Sequence, residues 1–236
     1  MKKIEQTSNQ IIFSAEMDET LANSIRRYVN HIPMVAIDEV EISKNDSALY
    51  DETVAHRIGL IPLKEGKVKE GKLKLETKKE GIVHSGDFEG NIDLVHKDIP
   101  ITILSSGQEM QIEATTKVGT GSEHSKFSPG LMFYRNVTEV SLDKEFKEDV
   151  EKVCPNAKIT EKGDRIIVRD DGKEDIADVC EGIANKQRKE AEVKVEGEVI
   201  VTIESFGQID SEEVFKRAID NLKKDLKEVE KLVSKA

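Results

Sequence analysis

Cys154 and Cys180, the two cysteines of the chain, together with His56, His124 and the pair Arg26-Arg27, are the side chains whose types could do more than pack. A thiolate binds soft metals and attacks electrophiles, yet two sulfurs fall short of the four ligands of a structural zinc site, and no histidine lies near either cysteine in sequence. Two cysteines are also too few for a disulfide framework, so a free thiol pair in a reducing compartment is the expectation. His56 stands beside Arg57, a combination that either closes a helix end or supplies a ligand, with the helix end its ordinary role. His124 sits in a loop bounded by glycines, where a histidine is more often structural. Arg26 and Arg27 either dress a solvated helix face or present guanidinium forks to a partner's carboxylates. No catalytic motif completes these residues. The chain lacks G-x-x-x-x-G-K-[ST], H-E-x-x-H and G-x-S-x-G, and its carboxylates are spread along helices beside lysines, where solvated pairing explains them. Nor does it carry the aspartate cluster that a two-metal phosphoryl-transfer site needs.

The elements that would position these residues are read from periodicity. From Asp210 to Val233 the apolar residues fall at Phe215, Ile219, Leu222, Leu226, Val229 and Val233, alternating steps of four and three, a heptad seam on one helix of roughly 35 Å. Asp210 with Glu213 reads as an N-cap and its capping-box partner. So narrow a stripe leaves Leu222 and Leu226 wet unless another helix lies along it. For the first half of the helix, packing on the chain's own sheet and docking of a partner both remain open; for the second half a partner subunit is expected. At the other end, Ile11, Phe13 and Ala15 alternate with Ile12, Ser14 and Glu16 in a hairpin over about residues 2–16. A helix follows over 18–32, with Leu21, Ile25, Tyr28, Val29 and Ile32 on one face, and Pro33 ends it. Residues 34–43 form a strand whose apolar phase shifts between Ile37 and Val40, which suggests a bulge.

Val193, Val195, Val199, Val201 and Ile203 keep a period of two before Gly207 turns the chain into the seam helix. Neither extremity alone closes a core, whereas together they supply a sheet and two helices for a two-layer α/β unit. Everything between is then an insertion. Within it, residues 50–60 form a short helix ending at Gly59, residues 64–74 a mobile surface loop, and Leu73-Leu75, Ile99-Ile103 and Met110-Ala114 weak strands. A third piece, 143–186, reads as helix (Phe146, Val150, Val153), a hairpin with its strand at Arg165–Arg169 between Gly163 and Asp170-Asp171-Gly172, and helix (Ile176–Ala184), a small α+β module.

Over 236 residues, 37% hydrophobic and 35% charged side chains describe a globular chain with a modest core. A net charge of −11 argues against a surface that grips nucleic acid directly, so partners are expected to be proteins. No early apolar run resembles a signal peptide and no stretch is long enough to span a bilayer, so membrane association is not expected and the cytoplasm is the expected compartment.

Four stretches go beyond pattern. Thr20-Leu-Ala-Asn-Ser-Ile-Arg-Arg-Tyr-Val, followed by Ile32-Pro-Met-Val-Ala-Ile-Asp-Glu-Val, resembles the first helix and strand of the α-type assembly subunits of multisubunit RNA polymerases. Asp51-Glu-Thr-Val-Ala-His-Arg-Ile-Gly-Leu-Ile-Pro-Leu is similar to the opening of the inserted domain in the archaeal and eukaryotic branch of that family. Gly119-Thr-Gly-Ser-Glu-His-Ser-Lys-Phe-Ser-Pro-Gly resembles its second signature, and Glu204-Ser-Phe-Gly its closing one. The motifs occur in the family's order and cover both ends and the insertion.

The resemblance implies an α+β fold. A discontinuous two-layer dimerisation domain (1–43 and 187–236) would carry an inserted β-rich domain (44–142) and a ferredoxin-like module (143–186). It implies a non-catalytic scaffold that does not itself make the phosphodiester bond. Leu21, Ile25, Tyr28, Phe215, Ile219, Leu222, Leu226, Val229 and Val233 would face a smaller L-type subunit. Arg26 and Arg27 would face the second-largest, B-type subunit of the polymerase, and the small zinc-binding subunits N and P would join the platform. His56, Arg57, Gly59, His124, Lys126 and Pro129 mark the inserted domain. Many relatives hold iron–sulfur clusters in the third module with C-x₂-C-x₂-C and a distant Cys-Pro. Cys154-Pro155 resembles that Cys-Pro and Cys180 stands at the triplet, but Ala177 and Ile183 occupy the neighbouring triplet positions, so no cluster or other cofactor is expected. The competing readings are a small ferredoxin-like redox carrier, which needs a cluster, and a scaffold whose seam helix pairs with its own copy.

Overall fold

The computed structural model describes residues 1–66, 70–155, 157–170 and 175–235. Its elements in chain order are β1 (Lys2–Gln6), β2 (Gln10–Glu16), α1 (Glu19–Tyr28), β3 (Pro33–Asn45), α2 (Asp51–Gly59), β4 (Lys72–Thr77), β5 (Gly81–His84), β6 (Glu89–Gly90), β7 (Pro100–Leu104) and β8 (Met110–Thr120). There follow β9 (Gly130–Asp143), α3 (Lys147–Val153), β10 (Lys158–Lys162), β11 (Arg165–Arg169), α4 (Ile176–Lys186), β12 (Glu192–Ser205) and α5 (Ser211–Val233). The result is a mixed α+β fold that divides into two compact units, Met1–Asn23 with Met132–Thr202, and Ser24–Leu131 with Ile203–Ala236.

The first unit is built on a six-stranded sheet in the order β1-β2-β12-β9-β11-β10. Placing β12 beside β2 joins the two extremities of the chain in one sheet. In the β1–β2 hairpin, Ile11, Phe13 and Ala15 are buried while the intervening residues are not, as their alternation requires. Helices α3 and α4 cover β9 and β11 around a core of Val140, Leu142, Phe146, Val150, Cys154, Ile166, Val168, Ile176, Cys180, Ile183 and Ala184. The apolar stripe of the first helix runs 146, 150, 154, not to Val153, which is exposed; steps of four keep Cys154 on the face that 146 and 150 define. Asp175 caps α4 by accepting from the Ala177 amide at 3.2 Å. At its other end the Arg188 amide bonds Asn185 O and the Lys189 amide bonds Ala184 O, both at 3.0 Å, a Schellman pattern that puts Arg188 at φ 58°. Lys189 Nζ reaches Asp143 (2.7 Å) and Glu145 (2.6 Å) and lies 5.7 Å from the Phe146 ring centre.

The second unit holds a four-stranded sheet, β3-β8-β4-β6, and a separate β5–β7 ribbon. The β3–β8 pairing slips between Ile37 and Glu39, where the sequence phase changes, and again between Ile42 and Lys44. Helix α2 inserts Val54 and Ile58 into a core shared with Leu73, Leu75, Ile101, Met110 and Ile112. Charged pairs run along and beside the sheet: Glu113 pairs with Lys72 and Lys74, Glu109 with Lys44 and Lys78, and Asp38 with Lys126. The expected loop over 64–74 is shorter than its composition suggested. Lys72–Lys74 belong to β4, paired with Thr115, Ala114 and Glu113 of β8, because Leu73 has a core to enter; residues 67–69 lie outside those described. Leu73–Leu75, Ile99–Ile103 and Met110–Ala114 all fall on or beside strands, while neither β5 and β6 nor β9 of the six-stranded sheet was read from the sequence.

Helix α5 runs over 23 residues from an N-cap at Asp210. The capping box does not form: Asp210 makes no side-chain cap bond, and Glu213 turns to Arg217 one turn later at 2.7 Å. Arg217 also holds Glu65 through two bonds of 2.6 and 2.7 Å, and a charged fork competes better for Glu213 than one backbone amide does.

Candidate subunit interface

Along α5 the environment changes once. Val214, Phe215 and Ala218 are buried by the chain itself, and Ile219 and Leu222 are half-buried. Beyond them Leu226, Val229, Leu232 and Val233 are 60%, 56%, 64% and 70% exposed. The open stripe is therefore confined to the last two turns, with Leu232 added to the residues read from heptad spacing. Local periodicity pointed to Val233 and passed over its neighbour. The first half of the helix settles on the chain's own core, one of the two outcomes left open for it.

The last tethers before the open turns come from the end of α1 and the short 3₁₀ turn Val29–His31 that continues it. Tyr28 Oη donates to Asp225 Oδ2 at 3.0 Å, and Asn221 Nδ2 donates to the His31 carbonyl at 3.1 Å. The Asp225 carboxylate accepts the phenol proton and so raises the Tyr28 pKa, with burial acting in the same direction. Neither Asn221, Asp225 nor His31 was singled out from the sequence, since a contact across nearly two hundred positions leaves no local signal. On α1 Ala22 and Ile25 are buried, as are Val29 and Ile32 just beyond it, whereas Leu21, Arg26 and Arg27 are exposed. Leu21 thus stands off the face on which the periodicity had placed it beside Ile25.

The signature residues of the insertion take up intrachain roles. Arg57 Nη1 donates to Ile101 O at 2.8 Å, bracing α2, of which Gly59 is the last residue, against β7; His56 is exposed. His124 Nδ1 accepts from the Lys126 amide at 3.1 Å and so caps the tight turn Ser125–Phe127. Lys126 Nζ bonds Asp38 at 2.8 Å and lies 5.0 Å from the Phe127 ring centre, and this ammonium holds the Asp38 carboxyl below its usual range. Pro129 O accepts from the Phe206 amide at 3.0 Å, which links the second and the closing signature motifs. His56 and His124 stand on separate elements.

Cys154 and Cys180 are both buried in the apolar core of the first unit. Burial pushes the Cys180 thiol up to about 12, and the neighbouring Cys154 adds to the shift. Two cysteines supply half of the thiolates that a four-thiolate cluster takes. Among the described residues no helix is long and apolar enough to cross a membrane.

Residues 13–226 match the family described as the RNA polymerase Rpb3/Rpb11 dimerisation domain. The chain is 32% identical over 254 aligned positions to DNA-directed RNA polymerase subunit Rpo3 of Methanobrevibacter smithii, covering 92% of each chain. It is 27% identical to subunit Rpo3 of Archaeoglobus fulgidus, over 90% of this chain and 89% of that one. To subunit Rpo3 of Pyrococcus horikoshii it is 36% identical over 160 residues, 61% of this chain and 62% of that protein's length, so this match spans under two thirds of the relative. The chain belongs to the RNA polymerase Rpb3/Rpb11 dimerisation domain family.

Proposed function

We propose that this chain is the D-type (Rpo3) subunit of an archaeal DNA-directed RNA polymerase, a non-catalytic scaffold that pairs with a smaller L-type subunit through the open end of α5. The observation that carries the reading is the row Leu226, Val229, Leu232 and Val233, left uncovered on an otherwise anchored helix. Burying apolar area on a second subunit is the driving force, and surfaces completed by that first union set the order in which others join. Leu21, Ile25, Tyr28, Phe215, Ile219 and Leu222 complete the L-facing set, with Ile25 and Phe215 acting from beneath because they are already buried. In this reading the terminal segments 1–43 and 187–236 are the dimerisation domain and 44–142 and 143–186 its insertions. Exposed Arg26 and Arg27 offer guanidinium forks to carboxylates of the second-largest polymerase subunit. Subunits N and P join the platform, the assembly works in the cytoplasm, and chemistry and DNA contact lie in other subunits. The ferredoxin-like module holds no cluster.

Co-expression tests the proposal. Changing both Leu222 and Leu226 to Asp should abolish co-purification with L while the insertion stays folded; undiminished pairing would reject the docking role. Arg27→Glu should spare the pairing with L and weaken recruitment of the second-largest subunit. Iron content and visible absorbance after anaerobic purification test the absence of a cluster: bound iron with the broad absorbance of an iron–sulfur centre would revive the redox reading.

A further inference from the structure

Three side chains and one backbone carbonyl tie α5 to the end of α1 and the turn after it, directly before the open turns. The Tyr28–Asp225 bond (3.0 Å) and the Asn221–His31 carbonyl bond (3.1 Å) leave α5 one turn apart. The rings of Tyr28 and His31 stack with centroids 4.8 Å apart and planes inclined by 24°, which joins the two bonds into a single clasp. Leu226, the first open residue, follows Asp225 immediately. Among the described residues no hydrogen bond or ion pair links 226–235 to another element; Ser234 Oγ bonds only back to Glu230 O within the helix end.

We infer that Tyr28, His31, Asn221 and Asp225 are positioning residues of the partner site, a clasp that fixes the direction and order of the Leu226–Val233 turns. The inference rests on the reading of those turns as the L-facing surface. A helix end without tertiary contacts frays, and a partner that docks on a frayed segment must order it at the moment of binding, which weakens the complex. Anchoring the turn 221–225 leaves only the final two turns to hold, so the partner meets a preformed rail. Tyr28 then contributes to pairing through α5 as well as through whatever part of its half-exposed ring the partner touches.

The test compares full-length variants in titrations with purified L. Tyr28→Phe removes one hydroxyl and keeps the ring; Asn221→Ala removes the second bond. Each should weaken the heterodimer about fivefold and the pair together more than tenfold, the equivalent of roughly 1 kcal/mol per bond. Amide exchange at 226–233 in the free chain should quicken, while the unfolding midpoint of the remainder stays put. Asp225→Asn, which keeps an acceptor oxygen, should retain most of the affinity that Asp225→Ala loses. Parental affinity in both single variants, with Leu226→Asp still abolishing pairing, would overturn the clasp and leave the interface standing. If Leu226→Asp also pairs normally, the interface reading itself fails and the clasp falls with it.

Discussion

Truncating apolar residues on the two halves of α5 should separate what the chain needs to fold from what it keeps for a partner. Phe215 is 9% exposed and Leu226 is 60% exposed, yet both belong to the same heptad row. Phe215→Ala removes a packed ring and should cost the free chain about 3–5 kcal/mol, a large share of a domain's usual 5–15 kcal/mol. Leu226→Ala, Val229→Ala and Val233→Ala act on side chains that are 60%, 56% and 70% open, so each should cost the free chain under about 0.5 kcal/mol. In the heterodimer the open fraction is what becomes buried. At ~1.5–3 kcal/mol for a fully buried aliphatic side chain, each truncation removes about 1 kcal/mol of binding, and the triple variant about 3 kcal/mol. That is a rise in Kd of roughly two orders of magnitude. Urea titration of the free chain gives the first quantity and calorimetric titration with L the second. A triple variant that unfolds as early as Phe215→Ala would place the row in the chain's own core; one that binds L with parental Kd would remove the row from the interface.

Other perturbations probe the scaffold. Arg188 occupies the left-handed C′ position of α4 at φ 58°, so Arg188→Gly should raise stability by about 0.5–1 kcal/mol and the melting temperature by about 2 °C, read by calorimetry. A Cβ at Gly130 would overlap the Glu204 carbonyl oxygen and come within 3.1 Å of Ser205 Cα, so Gly130→Ala should cost about 1–3 kcal/mol with an unchanged urea m-value. Glu109 is held at about 2 first by its bond to Lys44 and then by Lys78, and Glu161 at about 2 by Lys144 and Lys147. Depressed carboxyls stabilise above their ordinary value of 4.5 and lose that contribution as pH falls towards about 2, so Glu109→Gln should flatten the acid limb of melting temperature against pH; an unaltered limb would count against it.

What could be read in the sequence was what repeats within a few residues. The β1–β2 alternation, the phase change near Ile37 and the unbroken run of α5 are local, and each returned in the structure at its expected place, whereas the first helix, read to Ile32, gives way after Tyr28 to the 3₁₀ turn Val29–His31. Strands β5 and β6 are four and two residues long, too short to show a period, and they exist because β7 and β4 lie alongside them. The capping box failed for a related reason. Glu213 had a rival partner in Arg217, itself oriented by Glu65 from a distant part of the chain. At the interface, the apolar row was visible as a heptad, but the point at which it passes from covered to open was not. That point is set by Asn221 and Asp225 meeting His31 and Tyr28, a contact only the folded chain defines.

The division of α5 also limits what the open turns can do alone. Four partly exposed aliphatic side chains offer on the order of 300 Å² of apolar surface, whereas a stable protein–protein interface buries about 800 Å² per partner. A lasting complex through α5 therefore requires further contact elsewhere on this chain, and the exposed Leu21 is an apolar candidate carried by the first of the family motifs. The shortfall has a physical use. A full-length open seam would be an aggregation hazard before its partner arrived, since contiguous apolar patches of several hundred Å² associate indiscriminately. Burying Val214, Phe215 and Ala218 removes the first half of the seam from solvent, and lysines and glutamates flank the remaining row. A surface too small to hold a wrong partner, yet sufficient when a matched subunit adds its remaining contacts, favours specificity over raw affinity.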